Sequence, residues 1–300
     1  MNSPSNAATE SHASPQARFA STARPFYWSV RRELWEYRSL YLVPLIAAGL
    51  FLIAFLINLL RTRQQMDAAV PHGANPYELS AALIMGSALL VGLYYALDTL
   101  YGERRDRSIL FWKSLPVSDL TAVLAKLTIP LAIVPVLSFV ITLATQILML
   151  LLSSAVLWGS GVTMAELWGK PESFIKISLI LLYHIVLVHG LWYAPLYGWL
   201  LLVSVFAPRA PLVWAVLPPF VIYGVERIAF NSTYFLGLLQ ERFLGPMSHS
   251  TMPAGKAPMS LAEELIPKHF FAEPGLWIGL AVGAVFIAAA VRLRRYRGPI

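Results

Sequence analysis

Six apolar runs, each long enough to fill a bilayer's hydrocarbon core of about 30 Å, leave this 300-residue chain little choice of fold. They cover roughly residues 40–60, 79–100, 127–157, 174–206, 210–229 and 275–292. Wrapping six such runs in a soluble shell would take far more polar sequence than the chain has. Of its residues 57% are hydrophobic and 13% charged, against about a quarter charged in a soluble domain. In lipid, every backbone polar group must be paired within the segment, so the runs read as helices. The expected class is an all-α integral membrane protein with six transmembrane helices. The third and fourth runs are overlong but cannot each hold two spans and a turn, so each is read as one tilted or protruding helix. Pro130, Pro135, Pro195 and the pair Pro218–Pro219 are expected to kink their helices.

Charge sets the orientation. With an even number of spans, the basic clusters RRELWEYR (31–38) and RLRRYR (292–297) share a side. Placing that side in the cytoplasm puts 15 of the 23 Lys and Arg inside, as the positive-inside bias requires. Both termini are then cytoplasmic, and the net charge of +7 reflects cytoplasmic loops, with no nucleic-acid partner expected. Residues 1–22, rich in Ser, Ala and Asn, read as a disordered cytoplasmic tail without a cleavable signal peptide. Residues 23–300 form the six-span domain, whose first run acts as its own insertion signal.

Three segments outside the runs carry information. RPFYWSVRRELWEYRSLY (24–41) places Phe26, Val30, Leu34, Tyr37 and Tyr41 near helical spacing, with Arg31, Arg32, Glu33, Glu36 and Arg38 mostly elsewhere on the wheel. It reads either as an amphipathic interfacial helix over about 24–39, started at Pro25 and anchored by Trp28 and Trp35, or as an aromatic belt leading into the first span. Residues 230–274 form the long exterior segment, where FLGLLQERFLG (235–245) and the capping-box pattern of SLAEEL (260–265) predict two short extracytoplasmic helices between spans five and six. The third is GERRDRSILFWKSLPVSD (102–119), six charges within twelve residues, then a Pro and a helix-start signal. Ile109, Phe111 and Trp112 follow the charges. They suit a short helix offered to a protein groove, or a basic loop whose aromatics dip into lipid.

Several chemistries find no support. The chain has no Cys, which excludes disulfides, zinc-thiolate sites and thiol nucleophiles. Gly169-Lys170 and Gly255-Lys256 lack the rest of a phosphate loop, and no H-E-x-x-H or G-x-S-x-G occurs. His184 and His189 stand five residues apart, on different faces of a helix, so no metal site is expected. Neither an enzyme nor a cofactor-binding chain is indicated. Polar residues within spans still invite a role. The richest run is the fourth, and Tyr183, His184, Trp192, Tyr193 and Tyr197 are its candidates for a substrate path or a dimer seam. Gln146 and Asn58 read as interhelical glue. Glu226 and Arg227, at the outer end of span five, either pair or reach the interface.

Residues 103–119 resemble the cytoplasmic signature between the second and third spans of ABC-2 type transporter permeases. Glu103 and Arg104 open it, Ser108 and Ile109 hold its Thr and Leu places, and Ser114, Pro116, Val117 and Ser118 close it. Arg107 stands where that pattern has Gly, and Leu110 where it has Glu. The interfacial helix, the six spans and the outer helices extend the resemblance over residues 24–297. It implies a coupling helix at about 102–117 that docks on a separate ATP-binding subunit, through Glu103, Arg104, Arg105, Arg107, Ile109, Phe111, Trp112 and Pro116. It further implies ATP and Mg bound by that subunit, two copies of it, a second permease copy forming a homodimer, and export across a bacterial cytoplasmic (inner) membrane. A secondary transporter and a non-transporting membrane anchor for an ATPase are the alternatives. A lipid-linked glycan, a hydrophobic drug or peptide, and an ion all remain possible cargoes.

Overall fold

The computed structural model describes residues 15–64, 76–115, 117–156, 182, 189–244 and 270–300. Among them every regular element is helical and no strand occurs. In chain order the helices are α1 (Pro15–Glu36), α2 (Ser39–Gln64), α3 (Pro76–Arg105), α4 (Ile109–Ser114), α5 (Asp119–Thr128), a π-helical turn (Ile129–Ile133) and α6 (Val134–Val156). A single turn at Gly190–Trp192 precedes α7 (Ala194–Phe206), α8 (Pro211–Phe230), α9 (Tyr234–Leu244), a 3-10 turn (Phe270–Ala272) and α10 (Pro274–Tyr296).

Among the described residues, five helical stretches are long and apolar enough to cross a membrane: Ser39–Arg61, Leu79–Arg105, Asp119–Val156, Pro211–Phe230 and Pro274–Tyr296. This fits an all-α, multi-pass membrane protein. Of the run expected at 174–206, the described part contributes α7, whose 13 residues are too few to span alone. Residues 1–14 of the expected tail, Pro116, Tyr183, His184 and the helix expected at SLAEEL (260–265) lie outside the described residues.

Three boundaries differ from expectation. α1 begins at Pro15, so residues 15–22 belong to it and Pro25 lies inside the helix. Ser29 Oγ donates to the Pro25 carbonyl at 2.8 Å. α3 runs on to Arg105, so Glu103 and Arg104 close a spanning helix instead of opening a coupling helix. The third stretch starts at Asp119, where Ser118 Oγ accepts the Thr121 N–H at 3.1 Å as an N-cap.

The prolines act through the carbonyls they leave free. Pro135 cannot donate to the Leu131 carbonyl, and the ladder there widens into the π turn that also holds Pro130. Gly190 packs against that carbonyl, and a Cβ on it would lie 3.2 Å from the oxygen. Pro219 likewise frees the Ala215 carbonyl, which accepts Trp199 Nε1–H at 3.1 Å.

The main core joins α3, α5, α7 and α10 through Ala96, Leu100, Val123, Leu127, Tyr197, Leu201 and Ala290. α7 and α10 form the most extensive helix pair. Their axes approach where Gly198 faces Gly283, and a Cβ on Gly198 would sit 3.1 Å from the Gly283 carbonyl. Small residues permit such an approach between spanning helices, where dispersion must drive association. α8 turns most of its apolar side chains outward and α2 turns out one face, with Leu42, Ile46, Leu50, Ile53 and Ile57, as lipid-facing helices do.

Candidate functional site

The ends of α3, α5, α10 and the flank of α1 meet in a buried cluster of charge. Glu33 of α1 is 1% exposed and Lys126 of α5 2%. Lys126 Nζ lies 2.8 Å from Glu33 Oε1, 3.0 Å from Glu103 Oε1 and 2.7 Å from Thr99 Oγ1. Glu33 Oε2 accepts from Tyr95 OH at 2.8 Å and from Thr99 Oγ1 at 3.1 Å. Arg32 bonds both Glu33 and Glu103, the latter at 3.1 Å. Arg294, near the end of α10, reaches Glu103 Oε2 at 3.2 Å and pairs with Asp119. Three carboxylates thus meet three cations. An isolated buried ion costs several kcal/mol, so only a balanced, mutually bonded set is tolerated here.

Burial alone would raise the Glu33 carboxyl pKa. The charges of Lys126 and Arg32, with hydrogen bonds from Lys126 and Tyr95, outweigh it and hold that carboxyl at about 2. It is a carboxylate throughout the physiological range. The arrangement offers no nucleophile beside a general base and, among the described residues, no group of His, Asp or Glu that could hold a metal. What it can do is mechanical: four helices that are remote in sequence are tied at one point.

A pocket of about 160 Å³ adjoins the cluster, lined by Arg32, Glu33, Glu103 and Arg294 together with Trp28, Trp112, Leu115 and Val117. Trp112 belongs to α4, and the Arg32 guanidinium stacks on its ring at 3.7 Å from the centroid. On its other flank Lys113 Nζ donates to the Arg295 and Arg297 carbonyls at 3.3 and 3.0 Å, capping the C-terminal end of α10. Ile109 is 2% exposed and roots α4 in the bundle. Between α3 and α4 the chain turns at Arg107, whose φ of 60° is one that glycine adopts without strain.

Of the eight expected contact residues, only some are presented outward. Glu103 and Arg104 are each 5% exposed and face inward. Arg104 donates to the Val205 and Ala207 carbonyls at the end of α7 and to the Gly298 carbonyl. Neither has surface to offer a partner, because α3 continues as a packed helix through both. Ile109 is likewise internal, and Trp112 is half-buried beneath Arg32. Arg105, Arg107 and Phe111 are exposed, and Leu110 joins them. Leu110 was not among the expected contacts, yet a helical wheel over 109–114 puts it with Phe111 and Ser114, opposite Ile109.

The fourth-run candidates also divide. Trp192 and Tyr197 are each 1% exposed and packed inside this chain. Trp192 Nε1 donates to the Glu241 carbonyl at 3.3 Å, and Tyr193 OH donates to the Phe243 carbonyl at 3.0 Å. Both bonds hold α9 against the bundle. Arg242 of α9 stacks on the Trp192 ring at 4.3 Å and donates to the Gly275 carbonyl. Glu226 accepts Ser232 Oγ and the Tyr234 and Phe235 N–H groups at 2.6, 2.7 and 2.9 Å, so it caps the start of α9. Gln146 Nε2 bonds the Tyr77 carbonyl at 3.3 Å, an interhelical bond of the expected kind.

Glu33 and Lys126, the centre of the cluster, were not singled out by sequence reasoning. Glu33 was assigned to the polar face of its helix, but Phe26, Val30 and Tyr37 flank it on the wheel, a signal that it faces the bundle. Lys126 had counted only toward the positive-inside bias. Comparison with known proteins finds no matching family model, no matching curated protein and no matching solved structure.

Proposed function

We propose that this chain is the membrane-spanning permease subunit of an ATP-driven transporter of the ABC-2 type, and that α4 is its docking element for a separate ATP-hydrolysing subunit. One observation carries the reading: α4 stands at the charged end of the bundle with Leu110 and Phe111 each 59% exposed, while its other face is clamped to α1 and α10. An apolar anchor ringed by Arg105, Asp106 and Arg107 suits a compact protein contact. The φ of Arg107 gives independent support, since the ABC-2 pattern has glycine at that place.

In this reading the charged end is cytoplasmic, the chain crosses the inner membrane of a bacterium six times, and α9 lies outside. ATP and Mg bind the partner subunit. Its closure pushes α4, and the cluster at Glu33, Lys126, Glu103 and Arg294 passes that push to α1, α3, α5 and α10 as one body. Two copies of the chain serve two ATP-binding subunits, and cargo is exported.

The test is purification of the tagged chain in mild detergent from its native membrane, with mass spectrometry of co-eluting proteins. A stoichiometric ATP-binding protein is expected, lost in Phe111→Asp and retained in a Tyr27→Asp control. A chain that elutes alone even after cross-linking in intact membranes would reject the assignment.

A further inference from the structure

The side of α1 that faces away from the bundle carries a pattern of its own. Arg24, Arg31 and Arg38 recur every seven residues, and Trp28 and Trp35 alternate with them at the same period. Within α1, steps of four and three residues keep Arg24, Trp28, Arg31 and Trp35 on one stripe, and Arg38 follows in the turn between α1 and α2. The stripe holds no Asp or Glu. Trp28 and Trp35 are 58% and 66% exposed, and Arg24 and Arg38 are exposed. The Arg31 guanidinium stacks on both rings, at 5.2 and 4.7 Å from their centroids. The apolar side, with Val30, Leu34 and Tyr37, packs against Leu40, Tyr95 and Ile129. The amphipathic surface expected to rest on lipid is therefore spent on the bundle, and what remains outside is cationic and aromatic.

We infer that this Arg–Trp stripe binds the phosphates of anionic phospholipid headgroups. The inference rests only on the membrane character of the chain and stands apart from the transporter reading. Three features select this occupant. The spanning stretch Ser39–Arg61 begins immediately after Arg38, which sets the end of the stripe at headgroup depth. Trp prefers that depth, where its ring is apolar and its N–H is wet. Guanidinium groups offer paired donors that match a phosphate, and Arg31 is oriented for this by the two rings that flank it. A neutral zwitterionic surface gains the Trp contacts but not the charge term, which is worth about fivefold in binding per basic residue near an anionic surface.

The test places the full chain in vesicles of equal phosphatidylcholine and phosphatidylglycerol, extracts it gently, and counts the retained lipids by native mass spectrometry. Wild type should retain phosphatidylglycerol in excess. Arg31→Gln should lower that excess several-fold, and the triple change of Arg24, Arg31 and Arg38 to Gln should abolish it. Thermal unfolding in pure phosphatidylcholine nanodiscs, expected to be unchanged, separates lost binding from lost folding. Should the triple variant not fold, Arg31→Gln alone decides. Equal phosphatidylglycerol retention by wild type and Arg31→Gln overturns the proposal. So does a stripe that shows no lipid preference but retains a single-stranded oligonucleotide, which would assign it to a soluble polyanion.

Discussion

The two ends of the bundle solve one problem, the fastening of a peripheral helix to spanning helices, in opposite ways. At one end α1 is held by ions that answer ions: Glu33, Glu103 and Asp119 against Arg32, Lys126 and Arg294. At the other, α9 is held by bonds to neutral groups: Arg242 stacks on Trp192 and donates to the Trp192 and Gly275 carbonyls, and Trp192 and Tyr193 donate to α9 carbonyls; among the described residues no fully buried carboxylate lies there. A carbonyl or a ring left behind by its cation is a modest loss. A carboxylate left behind in a dry site is a large one. The charged end should therefore fail abruptly and the aromatic end by degrees.

The largest break should come from Lys126→Met, which removes the buried cation between Glu33 and Glu103 and leaves the two carboxylates one cation short. We expect a loss of about 3–5 kcal/mol, the usual cost of unpairing a buried ion, read from thermal or denaturant unfolding in nanodiscs. A loss below about 1 kcal/mol would mean that water reaches the cluster.

Acid should reveal the same asymmetry. The Glu33 carboxyl is lowered from an ordinary 4.5 to about 2 in the folded chain. Its contribution is therefore complete above about 4.5 and disappears as pH falls through about 2. Amide exchange in α1 should rise across that window, as should that of the first turn of α9 once its Glu226 cap is protonated, while the Arg242 end of α9 is still protected; simultaneous loss at α1 and at that end would contradict the comparison.

Arg242→Ala should cost about 1–2 kcal/mol, from the ring contact and the carbonyl bonds together. Gly279→Ala offers a second route to the same loss. A Cβ there would collide with the Arg242 guanidinium, so that side chain must shift off its carbonyl partners. The double variant should cost little more than either change alone, and additive losses would show that Gly279 matters for another reason.

The smallest effect is also the only gain. Arg107→Gly relieves a left-handed residue that is not glycine and should stabilise the turn into α4 by about 1 kcal/mol, seen as slower proteolysis at residues 106–108. No gain would mean that the Arg107 side chain has contacts that repay its strain.

Much of the fold could be read in advance because lipid imposes a length and a hydropathy that show in any window of 20 residues. The five observed spanning stretches fall on five of the six predicted runs. Helix ends were read less well. α3 outlasts its apolar run by a full turn because Glu103 and Arg104 find buried partners, and no local pattern announces partners that lie about 70 to 190 residues away. The candidate site suffered for the same reason. A charge beside an apolar run reads by default as one that faces outward: Lys126 counts only toward the charge bias, and Glu103 and Arg104 read as contacts for a partner subunit.

The sequence by itself determined the class of molecule, the places where helices must cross, and the interruptions that proline forces on them. These follow from backbone chemistry within a few residues, or from bulk hydropathy. The tertiary structure alone decided which charges are buried, that α4 turns Phe111 outward and Ile109 inward, and that Trp192 and Tyr197 are core. Those facts depend on which helix ends meet. A carboxylate's environment is set by the cations brought close to it, and the chain brings Arg32, Lys126 and Arg294 from three separate segments.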